Sequence, residues 1–538
     1  MRKGISPVVA TALLLVVAVV AVVGFNSWFN QYESKTLSGV EQQGGGSSVP
    51  IVDSVIGNSL YIKNPSTTSL NVTNVKINGK SCTSSSVSVS QGLKEINISS
   101  CMTNLTQGLV YDAVIVTNQG TYSKKFYNKA AMSSVNNQLN ISFFNLSSTL
   151  NNPNGFGTSA SDFFGYAVAI SSNYAIVGAY YEDDAGGTSS GKVYIFNVTT
   201  GALLRTLNNP NPFGTSQDDW FGYCLAISGN NLIIGGYESD AGGVFSGKAY
   251  IFDVTSGTLL RTLNNPNAYG TSANDYFGSS VSISGNYALV GAYNEGDAGG
   301  TSSGKAYIFN VTTGALLRTL NNPNNYSTSA SDYFGNSVAI SGNYAIIGTY
   351  GEDDAGGTTS GKTYIFDVTS GTLLRTLNNP NGFGTSQDDW FGYSVAISGN
   401  YVLVGAYSED DAGGIGSGKA YLFDVTSGSL LHTFDDPNIF GTSAGDRFGY
   451  NVAISGNYVV IDAIYEDDAG WTDSGKVYIF DVTSWNLLKT LSNPNGFGTS
   501  QNDYFGTSVS ISGNYVIAGA HYEDDAGGTS SGKAYIFK

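Results

Sequence analysis

The chain has 538 residues and a formal net charge of −17, with 69 Gly, 35 Tyr and 27 Phe but only 12% charged residues. Residues 1–148 carry 10 Lys and Arg against 5 Asp and Glu, whereas residues 149–538 carry 14 against 36. This excess of acidic residues in the C-terminal part repels phosphate groups, which argues against nucleic acid as a partner. Gly-punctuated runs of Val, Ile, Tyr and Phe predict a mainly β protein.

The N-terminal segment begins with two positive charges and continues as an apolar run from Ile5 to Phe25. This run is long enough to cross a bilayer as a helix, and Arg2 and Lys3 place its N-terminus in the cytoplasm. We therefore predict a transmembrane helix over residues 5–35, with the rest of the chain outside the cell. A secretory signal peptide fits less well, because the apolar run is long and no small-residue cleavage site follows it.

The stretch KGISPV (Lys3–Val8), followed by a run of Val, Leu and Ala, resembles the N-terminus of archaeal type IV pilins. The resemblance implies that a prepilin peptidase cuts between Gly4 and Ile5, so that residues 1–4 are a leader peptide. It also implies that the helix lies in the membrane or packs with other subunits in a pilus filament. The expected location is the cell membrane, with a single span and an extracellular C-terminal part, or a pilus on the cell surface.

Two further segments precede a long repeat array. Residues 36–50 are rich in Gly and Ser and are predicted to be a flexible linker. Residues 51–135 contain short runs of alternating apolar and polar side chains, which predict a small antiparallel β-sandwich. Cys82 and Cys101 lie in this segment, and a disulfide between them is expected if the segment is extracellular.

Residues 141–538 form the repeat array, in which the dipeptide Phe-Gly recurs every 56 or 57 residues. The sequence pattern of each unit predicts four strands, a to d. The a–b and c–d connections are tight turns, and the b–c and d–a connections are long loops. Seven such units predict a seven-bladed β-propeller. The last unit lacks strand d, but residues 149–159 are identical to residues 376–386, which end a strand d. An N-terminal strand d is therefore predicted to close the ring.

The motifs DxFG, VGA and SGKAYIF recur in nearly every unit and resemble FG-GAP repeats, which are related to the integrin α-subunit propeller. The resemblance implies surface adhesion or ligand binding. Integrin-type blades carry a calcium loop between strands a and b. Here that connection is only Ser-Gly-Asn-Tyr, so those calcium sites do not transfer.

All long loops emerge on one face of the predicted propeller, where binding residues usually lie. Carboxylates in the Gly-rich b–c loops could bind Ca²⁺, which needs several oxygen ligands. The other interpretation is that these acids stabilise their own blades, because each loop ends in a Lys and the DxFG Asp can accept backbone N–H bonds. The candidate calcium ligands are Asp183, Asp184, Asp240, Asp297, Asp353, Asp354, Asp410, Asp411, Asp467, Asp468, Asp524 and Asp525. A Glu is also assigned to one repeated position in all seven loops, with Glu238 as the copy in unit two.

Residues that serve a specific function should depart from the repeat, and unit six departs most. It has Arg447 inside its DxFG motif, Asp462 in place of the Gly of VGA, and Trp471 and Asp473 in its b–c loop. Trp and Arg are favoured binding residues, so we predict a ligand-binding patch of Arg447, Trp471 and Asp473. Sequence drift in a single unit is the alternative.

The chain carries eight sequons for N-glycosylation, at Asn71, Asn97, Asn104, Asn140, Asn145, Asn197, Asn310 and Asn325. It shows no catalytic constellation, so an enzyme is not expected. The predicted function is adhesion of a surface protein to an extracellular protein or glycan. A structural filament or envelope subunit is one alternative. A propeller-type carbohydrate-active enzyme is another, and a deep pocket of non-repeating residues at the channel mouth would favour it.

Overall fold

The computed structural model describes residues 51–538 with short gaps, so the predicted leader peptide, transmembrane helix and linker (residues 1–50) lie outside the described residues. The gaps are 57–58, 65–68, 78–79, 83–85, 90–91, 98–109, 119, 128–143, 155–159, 184–186, 212–216, 240–243, 268–272, 297–299, 325–329, 354–356, 382–386, 411–413, 439–442, 468–471, 496–500 and 525–527. Within the described part, no helix has the length and hydropathy needed to cross a membrane.

The chain divides into two compact units, residues 1–141 and 142–538. The described strands of the first unit are β1 (Ile51–Ile56), β2 (Ser59–Asn64), β3 (Leu70–Ile77), β4 (Lys80–Ser81), β5 (Val87–Val89), β6 (Gly92–Asn97), β7 (Val110–Thr117) and β8 (Gly120–Tyr127). They form two antiparallel sheets, β1–β2–β6 and β4–β3–β7–β8, with β5 also paired to β3. Contacts of β1 with β8 and of β5 with β6 bring the sheets together, as a β-sandwich requires.

Strand β3 shows why this segment folds as a sheet with one buried face. Leu70 and Val72 are buried, whereas Asn71 and Thr73 between them are exposed, which is the two-residue period of a half-buried strand. Cys82, just after β4, is disulfide-bonded. Its predicted partner, Cys101, lies outside the described residues.

The second unit contains seven four-stranded antiparallel sheets, which are the blades of the predicted propeller. The first strand, β9 (Leu146–Asn151), precedes blade one. Blades one and two consist of β10 (Ala167–Ile170), β11 (Tyr174–Ala179), β12 (Lys192–Asn197) and β13 (Leu203–Asn208), and of β14 (Cys224–Ser228), β15 (Asn231–Gly236), β16 (Lys248–Asp253) and β17 (Leu259–Asn264). Blades three and four consist of β18 (Ser280–Ser284), β19 (Tyr287–Ala292), β20 (Lys305–Asn310) and β21 (Leu316–Asn321), and of β22 (Ser337–Ser341), β23 (Tyr344–Thr349), β24 (Lys362–Asp367) and β25 (Leu373–Asn378). Blades five and six consist of β26 (Ser394–Ser398), β27 (Tyr401–Ala406), β28 (Lys419–Asp424) and β29 (Leu430–Asp435), and of β30 (Phe448–Ser455), β31 (Tyr458–Ala463), β32 (Lys476–Asp481) and β33 (Leu487–Ser492). Blade seven contains β34 (Val509–Ser512), β35 (Tyr515–Ala520) and β36 (Lys533–Phe537). Strand a of each blade contacts strand a of both neighbouring blades, so these strands surround the central channel.

The hydrophobic core of the propeller lies between the blades. The four central residues of β20 are all buried, whereas the outer strand β21 is exposed at most positions. One cluster joins Leu289 and Ile308 of blade three to Ile347 and Phe366 of blade four, and similar clusters join the other neighbouring blades. A single blade cannot bury both of its faces, so the fold depends on a closed ring.

The ring closes between its two ends, as the sequence predicts. Strand β9 pairs antiparallel with β36, from Lys533 opposite Asn151 to Phe537 opposite Leu146, and completes blade seven as its strand d. The backbone groups of Asn145 and Lys538 extend the pairing with two hydrogen bonds of 2.9 Å.

The Phe-Gly motif marks the point at which each d–a loop enters strand a. Its Phe is buried in every blade; Phe164, for example, has no exposed surface. Its Gly has a positive φ, 95° at Gly165, and a Cβ there would lie 2.3 Å from the carbonyl oxygen of Lys533 in the preceding blade. Only Gly fits this position, because both the backbone conformation and the space exclude a side chain.

Candidate functional site

The Asp of each DxFG motif is a structural residue of the long-loop face. Asp162 is buried, and its Oδ2 accepts hydrogen bonds from the side-chain amides of Asn152 (2.9 Å) and Asn154 (3.0 Å). Burial raises the pKa of Asp162, and the two amides act in the opposite direction. The same arrangement recurs at Asp219, Asp275, Asp332, Asp389 and Asp503. The donors seen among the described residues are Asn side chains, and the expected bonds from backbone N–H groups stay a prediction.

Six b–c loops hold a buried carboxylate that is paired within its own blade. Glu182 has no exposed surface, lies 2.6 Å from Lys192 Nζ and accepts a hydrogen bond from the Tyr194 hydroxyl at 2.6 Å. Burial raises the pKa of Glu182, and the lysine and tyrosine oppose this effect. The other copies are Glu295, Glu352, Glu409, Glu466 and Glu523. These acids stabilise their own blades.

Blade two breaks this pattern, and the assignment of Glu238 to the repeated position is wrong. The b–c loop of blade two is one residue shorter, and Ser239 occupies the position of the buried Glu. The Gly247 N–H donates to the Ser239 carbonyl, as its equivalents in the other blades do to the Glu carbonyl. Lys248 donates instead to Oδ1 of Asn211, at 2.8 Å.

The predicted calcium ligands are only partly described. Asp183 is exposed and accepts a hydrogen bond from the Ser189 backbone N–H at 2.9 Å, which closes the b–c loop. The same bond is made by Asp353, Asp410, Asp467 and Asp524. The remaining candidates lie outside the described residues: Asp184, Asp240, Asp297, Asp354, Asp411, Asp468 and Asp525. Calcium binding by these loops stays a prediction.

A different group of carboxylates meets where blade five joins blade six. Among the described residues, Asp436, Asp446 and Glu466 place carboxylate oxygens within 4.8 Å of one another. Asp436 stands where the other blades have the Asn that donates to the DxFG Asp, and its Oδ2 is buried without a hydrogen-bond partner. Burial raises the pKa of both Asp436 and Asp446, and the nearby Glu466 raises both further.

Asp462 changes how blades six and seven meet. At the corresponding Gly178 of blade one, a Cβ would lie 2.1 Å from the Gly222 carbonyl oxygen of the next blade, which leaves no room for a side chain. Asp462 is nevertheless fully buried, and it accepts hydrogen bonds from the backbone N–H (2.6 Å) and the side-chain amide (2.8 Å) of Asn451. The same amide donates to the Thr507 carbonyl of blade seven at 2.6 Å. Polar side chains therefore bridge these two blades.

The predicted ligand-binding patch of blade six is also only partly described. Arg447 is half-buried, and its guanidinium lies 4.5 Å from the ring centre of Tyr465 and 5.4 Å from that of Tyr407. Asp473 is half-buried as well; burial raises its pKa, and Arg447 acts in the opposite direction. Trp471 lies outside the described residues. Arg447 thus already makes cation–π contacts within the long-loop face.

The central channel opens on the long-loop face into a cavity of about 600 Å³. Much of its wall is built by the residue that follows each Phe-Gly motif. In blades one to seven this residue is Tyr166, Tyr223, Ser279, Asn336, Tyr393, Tyr450 and Thr507. The wall therefore differs from blade to blade, unlike the acid networks, which repeat with the blades.

A belt of aromatic rings backs this cavity. Trp220 contacts Tyr180 and Tyr223 at ring-centre distances of 5.4 and 6.1 Å, and Trp390 contacts Tyr407 at 5.1 Å. Edge-to-face and offset contacts of this kind stabilise aromatic clusters beyond the burial of their area. The belt holds the cavity wall in place.

Sequence reasoning did not find this cavity. Its wall-forming residues are spread along the chain from Tyr166 to Tyr522 and meet only when the ring is closed. A signal is nevertheless present in the repeats. The residue after Phe-Gly changes between Tyr, Ser, Asn and Thr, while Phe-Gly itself does not change.

The FG-GAP repeat model matches the chain at seven places, and these matches together cover more than half of it. The matched residues are 157–196, 214–252, 267–309, 327–366, 384–423, 441–480 and 498–537. The chain belongs to the FG-GAP repeat family. No curated protein sequence matches it. Each FG-GAP match runs from a d–a loop to strand c of one blade, so the family repeat and the structural blade are offset by one strand.

The predicted glycosylation sites of this FG-GAP protein differ in their surroundings. Asn71 in β3 and Asn145 before β9 are exposed. Asn197 and Asn310 accept hydrogen bonds from backbone N–H groups of their c–d turns, which accounts for them without a glycan. Asn97 is the last residue of β6, and the sites outside the described residues are Asn104, Asn140 and Asn325.

Proposed function

We propose that this FG-GAP protein is a pilin-like cell-surface protein that binds an extracellular ligand at the mouth of its propeller channel. The observation that carries the proposal is the cavity of about 600 Å³ on the face with the long loops. Rigid scaffolds usually carry binding residues on such loops, and cavities of this size hold small ligands. The non-repeating wall supports a specific ligand, because residues that serve only the blade repeat with it.

The N-terminal segment supports a place outside the cell for the propeller. The apolar run from Ile5 to Phe25 has the length of a membrane span, and the resemblance of Lys3–Val8 to archaeal type IV pilins implies cleavage between Gly4 and Ile5. The disulfide-bonded Cys82 agrees with an oxidising compartment. Mass spectrometry of surface preparations tests this location. We expect a mature N-terminus at Ile5, and a chain that stays in the cytoplasm with Met1 intact would contradict it.

A cavity of non-repeating residues at the channel mouth is the feature expected above of a carbohydrate-active enzyme, but the side chains of its wall support binding rather than hydrolysis. Glycoside hydrolysis uses two carboxyl groups that flank the scissile bond. The described residues of the wall include no Asp or Glu, and the fully buried Asp462 is engaged by Asn451. Surface location and a binding cavity together make adhesion the function that we propose.

A bulky side chain placed in the cavity tests the proposal. Asn336 lies in the wall, whereas Asn343 lies in the a–b turn of the same blade on the opposite face. We expect Asn336→Trp to reduce attachment of cells that display the protein about tenfold or more, because the indole fills the binding site. Asn343→Trp, the matched control, should leave attachment unchanged. Full attachment by an Asn336→Trp protein that melts like the parent would contradict the proposal.

A structural filament or envelope subunit is the second candidate, and the outer strands favour it. Strand d begins with two leucines in blades one to six, and both are exposed in several of them; Leu203 and Leu204 are each 45% exposed. Repeated apolar pairs on a surface are typical of interaction sites. Replacing both leucines by Ser should then reduce self-assembly measured by analytical ultracentrifugation. A parent protein that stays monomeric would remove this candidate.

A further inference from the structure

The described part of the cavity wall carries no charged side chain. Its described residues include no Lys, Arg, Asp or Glu, and its titratable groups are tyrosines, one Cys and one His. Burial lowers the pKa of His521 to about 3 and raises that of Cys224 to about 12 and that of Tyr223 to about 12. These groups are neutral at physiological pH. An ionic ligand would therefore lose its hydration without gaining a counter-charge from these groups. Arg447, Asp462 and Asp473 act on the pKa values of the wall residues Tyr450 and Tyr504 but are not themselves among the described lining residues.

Two pairs of hydrogen-bonded tyrosine hydroxyls line the cavity, and each pair joins neighbouring blades. The Tyr166 hydroxyl donates to that of Tyr223 at 3.0 Å, and the Tyr393 hydroxyl donates to that of Tyr450 at 3.1 Å. The pairs belong to blades one and two and to blades five and six, so blades three and four separate them on one side and blade seven on the other. Burial and the neighbouring Tyr223 raise the pKa of Tyr166, and Tyr450 of the other pair raises it further. The two pairs are therefore close enough to interact electrostatically.

Smaller polar side chains line the wall between the two tyrosine pairs. Ser279 and Asn336 stand on one side, and Thr507 stands on the other. The Asn336 amide donates to the Tyr393 carbonyl at 3.2 Å, and the Thr507 hydroxyl lies 2.9 Å from Nδ1 of His521. These contacts fix the orientation of the polar groups before a ligand arrives, which lowers the entropic cost of binding.

We infer that the channel mouth is a binding site for a neutral oligosaccharide, an inference that rests on the ligand-binding function proposed above. The wall presents many uncharged donors and acceptors at once, and a sugar offers hydroxyl groups in matching number. At the rim, the ring of Tyr522 is 41% exposed and supplies apolar surface for the C–H face of a sugar ring. The site thus suits a ligand that is polar on all sides but carries no charge.

A small organic cation is the main competitor, because tyrosine rings attract cations through their faces. In this cavity, however, the paired tyrosines of neighbouring blades present hydroxyl groups that bond to each other. The ring face of Tyr465 is already occupied by Arg447. An ion on the axis would meet these neutral dipoles and no carboxylate among the described wall residues. The geometry therefore favours a polyhydroxylated ligand.

Calorimetric titration of the full-length chain in detergent tests the inference. The probes are cellotetraose, chitotriose and mannotriose as neutral oligosaccharides, and choline as the cation. Tyr223→Phe and Tyr450→Phe each remove one hydroxyl from the wall and keep the ring. The matched control is Tyr344→Phe, since Tyr344 begins β23 at the opposite face. We expect at least one oligosaccharide to bind, and each wall variant to weaken it about five- to tenfold while the control does not.

The other outcomes separate the inference from the proposed function. Binding of choline without any oligosaccharide would overturn the inference and leave a ligand site at the channel mouth. The same conclusion would follow if no probe bound while Asn336→Trp still abolished attachment. Oligosaccharide binding that neither wall variant weakens would place the ligand elsewhere and overturn both. Failure of every probe together with unchanged attachment of Asn336→Trp would also overturn both.

Discussion

The side chain at residue 436 shows how one atom changes the chemistry of a repeated turn. In the preceding blade junction, the Asn379 amide donates to Asp389 at 2.9 Å. Asp436 instead sets a second carboxylate against Asp446, next to the buried Glu466. A proton held by Asp436 restores the missing donor, which is one reason why this pair binds a proton more tightly than an isolated carboxyl group does.

We predict that Asp436→Asn stabilises the propeller at alkaline pH by about 1 kcal/mol. The folded pKa values of Asp436 and Asp446 are raised above the unfolded value of about 4. The stabilisation from the protonated pair is therefore complete below about pH 4 and is lost as the pH rises. The amide keeps its bond at every pH. Calorimetry should show similar Tm values near pH 4 and a higher Tm for the variant at pH 8.

The reverse change provides the control. Asn379→Asp creates a second carboxylate pair in an ordinary junction, so it should lower the Tm at pH 8 and change it little near pH 4. A Tm difference between Asp436→Asn and the parent that does not depend on pH would contradict this explanation.

Blade two supplies a natural comparison for the buried ion pairs. Lys305→Ala leaves the buried Glu295 without its lysine, and we expect a loss of about 3 kcal/mol in the free energy of unfolding. Lys248→Ala removes the same side chain where Ser239 replaces the carboxylate, so the expected loss is about 1 kcal/mol. Urea unfolding measures both. Equal losses would show that the buried carboxylate is not what makes the lysine important.

Among the elements, β9 has a distinct role because it closes the ring without a covalent link to its blade. Its Leu150 is 1% exposed and packs in the cluster that joins blades seven and one. In an ordinary blade, Leu207 of β13 occupies the equivalent place, with 5% of its surface exposed. Pairing with β9 also covers the edge that β36 would otherwise present to other chains.

We predict that Leu150→Ala and Leu207→Ala destabilise the propeller by a similar amount, about 2–5 kcal/mol. The two leucines fill equivalent positions, so the costs should match if β9 is held as firmly as a strand that is continuous with its blade. Thermal melting of both variants checks this. A much smaller loss for Leu150→Ala would show that β9 detaches before the rest of the ring unfolds.

The order of the strands could be predicted because each one stands at a fixed distance from a Phe-Gly motif, and the identity of residues 149–159 with 376–386 revealed the role of β9. Strand β30 could not be predicted in the same way. It begins at Phe448 and has an irregular register up to Val452, next to the polar bridge of Asp462 and Asn451. The repeat shows that Asp462 replaces a Gly, but it does not show that Asn451 donates hydrogen bonds to its carboxylate.

At the scale of the whole molecule, buried carboxyl groups with raised pKa values occur around the ring. Burial raises the pKa of Glu409 to about 7 and that of Asp503 to about 7, and it also raises those of Asp162 and Glu295. The exposed turn residue Asp367 has a lowered pKa because Ser370 donates to it, and it contributes little. Above about pH 4, these carboxyl groups therefore bind more protons in the folded state than in the unfolded state. The buried His521, with its pKa lowered to about 3, acts in the opposite direction at acidic pH, but it is outnumbered by the carboxyl groups.

We predict that the Tm of the protein is highest between about pH 4 and 5 and falls as the pH rises through 7, because raised carboxyl pKa values stabilise the fold only while the protons stay bound. The acidic charge of residues 149–538 acts in the same direction, since repulsion grows as carboxyl groups ionise. Added salt should reduce the repulsion but not the effect of burial. A Tm that rises steadily from pH 5 to pH 8 would contradict the prediction.

The cavity at the channel mouth belongs to the whole molecule, which is why the sequence did not predict it. Tyr166 and Tyr522 stand at opposite ends of the array and line one cavity only because β9 closes the ring. The predicted patch of Arg447 and Asp473 lies on the same long-loop face, but Arg447 packs between Tyr407 and Tyr465. A residue that departs from the repeat identifies a position with a different role, but the sequence does not predict which residues its side chain contacts.

Closure by β9 also decides where mechanical force enters the propeller. β9 directly follows the chain that leads from the first unit, so tension applied through that chain acts first on the pairing of β9 with β36. The other six blades are each built from four strands in sequence. Of these, blade one also receives the tension directly, because residues 152–166 join β9 to β10. For the tethered, ligand-binding protein proposed above, the strength of this strand pairing would set the pulling force at which the ring opens and the wall of the cavity comes apart.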